Sequence, residues 1–566
     1  MNGAQALIKF LESKNVTEAF GYPGGSVIVL YEAIYEANFP HILTRHEQGA
    51  AHAAEGYAKA TGKVGVMMAT SGPGATNLVT GLADAYLDSV PVLAITGGVN
   101  RWDIGSDAFQ EADINGITQP ITKNNYLVME PEELLPVLEE AWALTTEGRP
   151  GPVLVNIPKD ILKAQIPDAL TQTSRYHRHR PAKVLTDELS SEVYDALLKS
   201  TRPLLLVGGG VVLSEGATTY LEQFVIKTQI PVAHTLMGKG AFPENHPKCL
   251  GMVGMHGSPQ ANTALGKCDL ILAVGVRFSD RVIGDPASFN SKMRTIIHVD
   301  IDAAEIGKLV YPTISIEDDA AMFFRKMLSI MADFDNKARW SDWIGILEKK
   351  QSEYKAVKEA MRVNKGAMLP QYVIGAIADI CKGKNPILVT DVGQNQIFAA
   401  QHFPVESPRS FITSGGLGTM GFGLPAAIGA AVACPDRDVI LFTGDGGFQM
   451  TIQELGLLQK LNVNVKVFIM DNACLGMVRQ WQELFFNKHY SETNMDNNPD
   501  FVMICEAYGL KASRACSTAE FESVLKKVFA QKGPYILHCI LEGNENVYPI
   551  IPPGKQPHEM MYPWNE

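Results

Sequence analysis

Short runs that are apolar at every position alternate, along nearly the whole chain, with longer stretches of helical period. The runs predict strands at residues 64–69, 92–96 and 153–157, then at 204–207, 270–274 and 296–300. A third group follows at 387–390, 439–443, 465–470 and 535–541. A strand apolar at every position, rather than at every second one, is covered on both faces, as in parallel sheets wrapped by crossover helices. Two polar stretches, 166–185 and the charged, helix-like 331–368, separate the groups. The expectation is an α/β chain of three doubly wound parallel-sheet domains, 1–165, 186–330 and 369–546, with a proline-rich tail at 547–566.

Composition narrows this little. At 46% hydrophobic and 19% charged, the 566 residues can bury several cores, which excludes a disordered chain. A formal net charge of −12 lacks the basic footprint of a nucleic-acid binder. The one basic cluster, Arg175-Tyr-His-Arg-His-Arg180, sits in the first polar stretch and reads as a solvated linker. No apolar run approaches the ~20 residues of a membrane span, and Met1-Asn-Gly-Ala-Gln5 does not begin a signal peptide. Eight scattered cysteines form no CxxC, so a cytoplasmic enzyme is expected. The 50 glycines, about 9% against about 7% usually, gather at the carboxyl ends of predicted strands. Open α/β sheets bind their ligands there, so the excess is expected to mark ligand sites.

Three motifs invite readings that their context opposes. Gly416-Leu-Gly-Thr-Met-Gly421 fits the dinucleotide pattern GxGxxG, but it follows no convincing strand, and its acidic partner would be Asp436, ahead of a strand. His46-Glu-Gln-Gly-Ala50 places alanine where a zinc protease needs its second histidine, and His52 reads as a packed helix residue. Asn15-Val-Thr17 is a glycosylation sequon only in a secreted chain.

Gly444-Asp445-Gly446 followed by Asp471-Asn472 is the specific signal. Asp445 ends one predicted strand, residues 449–460 read as a crossover helix, and Asn472 ends the next strand. One βαβ unit therefore carries both side chains to the same sheet edge. Two hard oxygen ligands, with the Cys474 carbonyl just beyond, suit a magnesium ion that also takes phosphate oxygens.

That combination resembles the thiamin-diphosphate (ThDP) motif, and the whole chain resembles the acetohydroxyacid synthase (acetolactate synthase) catalytic-subunit family. The resemblance runs through Phe20-Gly-Tyr-Pro-Gly-Gly25, Arg45-His-Glu-Gln-Gly49, Ser71-Gly-Pro-Gly74, Asp107-Ala-Phe-Gln-Glu111 and Gly148-Arg-Pro-Gly-Pro152. It continues through Gly275-Val-Arg-Phe278, Asp391-Val-Gly-Gln394, Gly415-Gly-Leu-Gly-Thr-Met420 and Gly476-Met-Val-Arg-Gln-Trp481. It implies a first domain for the ThDP pyrimidine, a central FAD domain and a third domain for the diphosphate and Mg2+. It also implies decarboxylation of pyruvate and carboligation to a second pyruvate or to 2-ketobutyrate, in branched-chain amino-acid biosynthesis. Two readings stay beside it: a flavin-free catabolic acetolactate synthase, which Trp481 opposes, and another ThDP-dependent keto-acid decarboxylase or oxidase.

The resemblance also implies residue roles. Glu47 would hydrogen-bond the cofactor's pyrimidine ring nitrogen, the Gly418 carbonyl would accept from its amino group, and Met420 would wedge between its rings. Gly393, Gln394, Asn395, Gly444, Gly446 and Gly447 would line the diphosphate, and Asp445, Asn472 and Cys474 the metal. Arg277 would bind the acceptor's carboxylate and Trp481 would favour 2-ketobutyrate, while Gly25, Phe109, Gln110 and Lys159 match further catalytic positions. Arg149, Gly208, Gly209, Gly210, Met252, Gly275, Asp300 and Asp302 match or adjoin flavin contacts. Two departures fall in that domain: Ser279 where the family often has aspartate, and Asp318-Asp319 where Gly-Asp is usual. With Glu47 and the diphosphate site in different domains, the resemblance implies a homodimer or homotetramer, and it allows a small regulatory subunit.

Overall fold

The computed structural model describes residues 1–166, 185–334, 339–362, 367–543, 545–557 and 559–562; the basic cluster 175–180 and most of the first polar stretch lie outside them. Three six-stranded sheets, every pairing parallel, account for all the named strands. The first holds β1 (Ala19–Gly21), β2 (His41–Leu43), β3 (Gly65–Ala69), β4 (Val92–Gly98), β5 (Asn124–Leu127) and β6 (Val153–Pro158), in the order β2-β1-β3-β4-β6-β5. The second holds β7 (Pro203–Val207), β8 (Val232–His234), β9 (Cys249–Met252), β10 (Leu270–Val274), β11 (Thr295–Asp300) and β12 (Ile314–Glu317), in the order β12-β11-β10-β7-β8-β9. The third holds β13 (Ile387–Thr390), β14 (Phe411–Ile412), β15 (Val439–Gly444), β16 (Val465–Asp471), β17 (Ala512–Ala515) and β18 (Tyr535–Ile540), in the order β14-β13-β15-β16-β18-β17.

The ten apolar runs are all strands, and eight further strands join them. Six of those eight are sheet edges: β2, β5, β9, β12, β14 and β17. An edge strand has one flank open, so it carries less apolar sequence; β5 keeps no fully buried residue. The other two, β1 and β8, are three residues long and leave too short a run to read. The predicted crossover at 449–460 is also different in detail. It is broken into Asp445–Met450, a 3-10 turn Ile452–Glu454 and Leu455–Leu461.

Each sheet reverses its order between its first strand and the neighbour the chain reaches later: β1/β3, β7/β10 and β13/β15. Crevices open at such switch points, outside the carboxyl ends of the strands. The predicted glycine and acidic residues fall at these three places.

The first and third domains share one apolar core, running from Phe20 and Ala54 to Phe422, Leu441 and Ile536. Its centre is the crossing of helix Glu47–Thr61 over helix Gly423–Ala433. A Cβ at Gly56 would stand 2.1 Å from the Ala426 oxygen, and one at Gly429 1.9 Å from that of Ala53. Bare backbone on backbone is what lets these helices touch. This corrects the reading of the glycine excess: part of it serves helix packing, away from any ligand. In the second polar stretch, helix Ser341–Arg362 carries the chain from the middle domain toward the third, burying only Trp343 and Leu347. Among the described residues, no helix is long and apolar enough to cross a membrane.

Candidate active site

At the β13/β15 crevice the chain presents a cluster of oxygens. Asp445 follows β15 directly and is 1% exposed. Burial, with Asp471 beyond, pushes its carboxyl up to about 7, against the pull of a 2.7 Å bond from Asn498 Nδ2. Asn498 also donates to Asp471 at 3.2 Å, so it bridges the acids that end β15 and β16. Burial alone would raise Asp471, but His538 donates to it at 2.7 Å and holds it below the usual carboxylate range. Asn472 donates through Nδ2 to Gln394 Oε1 at 3.3 Å, which leaves its Oδ1 as the acceptor end of the amide. A buried carboxylate short of positive partners, beside an amide oxygen, is a donor set that suits Mg2+. Cys474 is buried just after them.

Gly393, at φ +121°, caps helix Gln394–His402, and Gln394 and Asn395 occupy its first turn. Gln394 is held by Gln480 and by the Glu545 carbonyl, both at 2.9 Å. Asn395 Nδ2 donates to the Val392 carbonyl at 3.3 Å, leaving Oδ1 buried with no partner among the described residues. Gly444, Gly446 and Gly447 surround Asp445, and a Cβ at Gly447 would stand 2.5 Å from Asp391 Oδ1. These residues are thus brought together, and they fit a diphosphate with its metal.

The Gly415–Gly423 segment crosses the same edge. Gly418 is exposed at φ +75°, and the Met420 methyl lies 3.6 Å from where a Gly446 Cβ would be. A helix does follow this GxGxxG, but its strand, β14, is two residues long. The amides that a dinucleotide would need are already bonded to protein oxygens: Gly416 to Asp88, Gly418 to Ser414 and Gly421 to Asp391.

Glu47 begins helix Glu47–Thr61, half-buried, and accepts a 3.0 Å bond from Asn77 Nδ2. Gly25 is open to solvent, Phe109 is 89% exposed, and Gln110 sits at φ +61° with its backbone against Gly72. Lys159 opens the short helix after β6. Glu47 and Gln110 meet neighbours in the first domain, Asn77 and Gly72, rather than the Asp445 cluster.

At the β7/β10 crevice lies a cleft of about 990 Å³, at the upper end of the roughly 300–1,000 Å³ of ligand and cofactor sites. Arg149, Gly209, Gly210, Met252, Gly275 and Asp300 line it. Gly208 is wedged behind them, where a Cβ would meet the Gly275 oxygen at 2.0 Å. Arg149 pairs with Glu305 at 2.8 Å and Asp302 at 3.4 Å. Burial pushes the Asp300 carboxyl up to about 6. Space, bare backbone and acidic groups at strand ends fit a dinucleotide such as FAD. Ser279 borders the cleft, and so do Asp318 and Asp319, the last of which caps helix Ala320–Ile330.

Arg277 and Trp481 line this cleft, as do Gly418 and Val392. Burial, then Arg149, lower the Arg277 pKa, and its Nη1 donates to the Leu87 carbonyl at 2.5 Å. Trp481 packs edge-on against Phe485, ring centres 5.1 Å apart.

Sequence reasoning missed the supporting acids. Asp391 accepts the backbone amides of Val392, Gly421 and Gly423, a role that its place in the run Asp391-Val-Gly-Gln394 did not reveal. Glu454 is fully buried and accepts the Arg45 amide at 3.0 Å, and burial pushes its carboxyl up to about 7. Both partners lie too far along the chain for spacing to reveal.

Three family profiles match the chain: "Thiamine pyrophosphate enzyme, N-terminal TPP binding domain" over residues 1–117, the central domain over 190–327, and the C-terminal TPP binding domain over 391–539. The probable acetolactate synthase large subunit of Methanocaldococcus jannaschii is 45% identical, covering 98% of this chain and 94% of the relative. The acetolactate synthase large subunit of Lactococcus lactis is 44% identical, covering 99% and 96%. The acetolactate synthase isozyme 2 large subunit of Escherichia coli is 43% identical, covering 99% of each. With a ThDP-type oxygen cluster at one switch point, a dinucleotide-sized cleft at another and this likeness from end to end, the chain belongs to the acetolactate synthase large-subunit family of thiamine pyrophosphate enzymes.

Proposed function

We propose that the protein is the catalytic subunit of an acetolactate synthase working with ThDP, Mg2+ and FAD. Its reaction decarboxylates pyruvate and joins the remaining two-carbon unit to a second pyruvate or to 2-ketobutyrate. The observation that carries this reading is the meeting of Arg277, Trp481 and Gly418 on one cleft. A fixed cation for a carboxylate and an apolar wall for a short alkyl chain stand beside the loop assigned to the cofactor.

When bound, ThDP would supply the nucleophilic carbon for a 2-keto acid. Asp445, Asn472 and the Cys474 carbonyl hold Mg2+, while Gly393, Gln394, Asn395 and Gly444–Gly447 hold the diphosphate. Glu47 holds a proton at the pyrimidine ring nitrogen. Gly418 would accept from the amino group through its carbonyl, and Met420 would pack against the cofactor's rings. Arg277 grips the acceptor's carboxylate with its planar guanidinium, and the Trp481 indole packs on the acceptor's alkyl end. Gly25, Phe109, Gln110 and Lys159 close the reacting end of the site. Arg149, Gly208–Gly210, Met252, Gly275, Asp300 and Asp302 hold FAD.

Glu47 and Asp445 belong to different domains, and the first domain leaves Tyr35, Trp102 and Phe109 exposed at 87%, 72% and 89%. This supports a homodimer or homotetramer in which each site draws Glu47 from a second copy. The relatives named as large subunits support a small regulatory partner as well. All eight cysteines are free thiols, which suits the reducing cytoplasm. The domain limits proposed are 1–165, 186–330 and 369–546.

The deciding assay incubates purified protein with pyruvate, Mg2+ and ThDP, with and without FAD and 2-ketobutyrate, and measures acetolactate. Formation of acetolactate is expected; none under any of these conditions overturns the reading.

A further inference from the structure

The cofactor loop between β14 and helix Gly423–Ala433 is rich in glycine, and such a segment has no conformation of its own. Its amides are nevertheless all but used up. Asp88 accepts the Gly415 amide at 3.0 Å and the Gly416 amide at 2.7 Å. The Ser414 hydroxyl accepts from Gly418 at 3.0 Å and Thr419 at 2.8 Å, and donates to Asp84 Oδ1 at 2.7 Å. Asp84 and Asp88 both stand on helix Val79–Asp88 of the first domain and are buried, as is Ser414. Lys59, also from the first domain, donates to Asp88 at 2.7 Å and to the Thr413 carbonyl at 2.6 Å. The third domain's own Asp391 takes only the far end of the loop, Gly421 and Gly423.

We propose that Asp84, Asp88 and Ser414 are positioning residues that fix the backbone of the 415–420 loop and so present the Gly418 carbonyl and Met420 side chain to ThDP in one conformation. The first domain therefore acts on its own chain's cofactor loop, separately from its Glu47. An acid paired with Lys59, as Asp88 is, suits the task, because bonds to an ionised group are stronger than neutral ones and hold a loop that glycine would leave loose. The inference rests on the cofactor roles proposed for Gly418 and Met420.

Hydrogen–deuterium exchange on the whole protein without cofactor, followed by ThDP–Mg2+ titration read by tryptophan fluorescence, tests it. In Ser414→Ala the amides of Gly418 and Thr419, and in Asp88→Ala those of Gly415 and Gly416, should exchange about tenfold faster, each having lost one hydrogen bond. Helix Leu134–Thr146 should stay as protected as in the parent. ThDP half-saturation should rise about tenfold in the same variants, while Ser414→Thr, which keeps the hydroxyl, stays near the parent. Unchanged loop exchange in both alanine variants overturns the proposal, and so does a loosened loop that binds ThDP as the parent does. If Asp88→Ala does not fold, the Ser414→Ala and Ser414→Thr pair decides alone. A parent that binds no ThDP sinks the functional reading and this proposal together; a parent that binds, with variants that match it, sinks this proposal only.

Discussion

Glu47 and Trp481 are the residues on which the chemistry turns, and their surroundings say how. Glu47 is half-buried with one oxygen engaged by Asn77, so its loss leaves no buried charge behind. Glu47→Gln should therefore fold normally, by circular dichroism and thermal unfolding, yet lose about 100- to 10,000-fold in turnover, the worth of a positioned proton-holding group. Turnover within a few-fold of the parent would remove its role. Trp481 packs against Phe485 and lines the cleft. Trp481→Leu should cut the preference for 2-ketobutyrate over pyruvate by about 10-fold or more, since one methylene against an apolar wall is worth roughly 1–3 kcal/mol. Competition between the two acceptors measures this, and an unchanged product ratio makes the indole structural.

At the scale of elements, helix Glu47–Thr61 does two jobs. Its first turn carries Glu47; its middle carries a buried polar group at the seam with the third domain. His52 is fully buried, with Nδ1 2.9 Å from Glu55 and its ring edge-on to Phe422. Burial pushes His52 down to about 4, while burial and Glu55 push the Asp84 carboxyl up to about 8. The signs oppose. Unfolded His52 takes a proton below about 6.5 but the folded one resists until about 4, so its contribution to stability is lost as pH falls through that window. Asp84 contributes below its unfolded value and loses that contribution as pH rises toward about 8. Comparing the parent with His52→Gln isolates the histidine. In urea unfolding, the parent's advantage should shrink by on the order of 3 kcal/mol between pH 7 and pH 4. A pH-independent difference would mean that His52 takes up its proton in the fold as it does in the unfolded chain.

For the whole molecule, the decisive question is where the two halves of one site come from. Mixing Glu47→Gln with Asp445→Asn, each inactive alone, distinguishes the answers. If sites form between copies, half of randomly assembled dimers are mixed and each holds one intact site, so about a quarter of the parent activity returns. If each chain builds its own site, none returns.

Legibility followed the physics of each signal. The central strands could be read because a strand buried on both faces must be apolar throughout, and Asp445 and Asn472 because strand–helix–strand continuity carries both to one edge. Edge strands could not, because β5 and β12 bury little and their sequence reflects that. Nor could the glycines be sorted: Gly447 stands beside Asp391 at the crevice and Gly429 against a helix backbone, and both look alike in the chain. The sequence by itself determined the three parallel sheets, the acidic strand ends and the family. Only the tertiary structure decided that Asp84 and Asp88 reach across some 330 residues to hold the cofactor loop, and that Arg277 and Trp481 share a cleft. Local pattern reports what a residue needs around it, burial or a turn. Which distant residue meets that need is settled only when the domains pack.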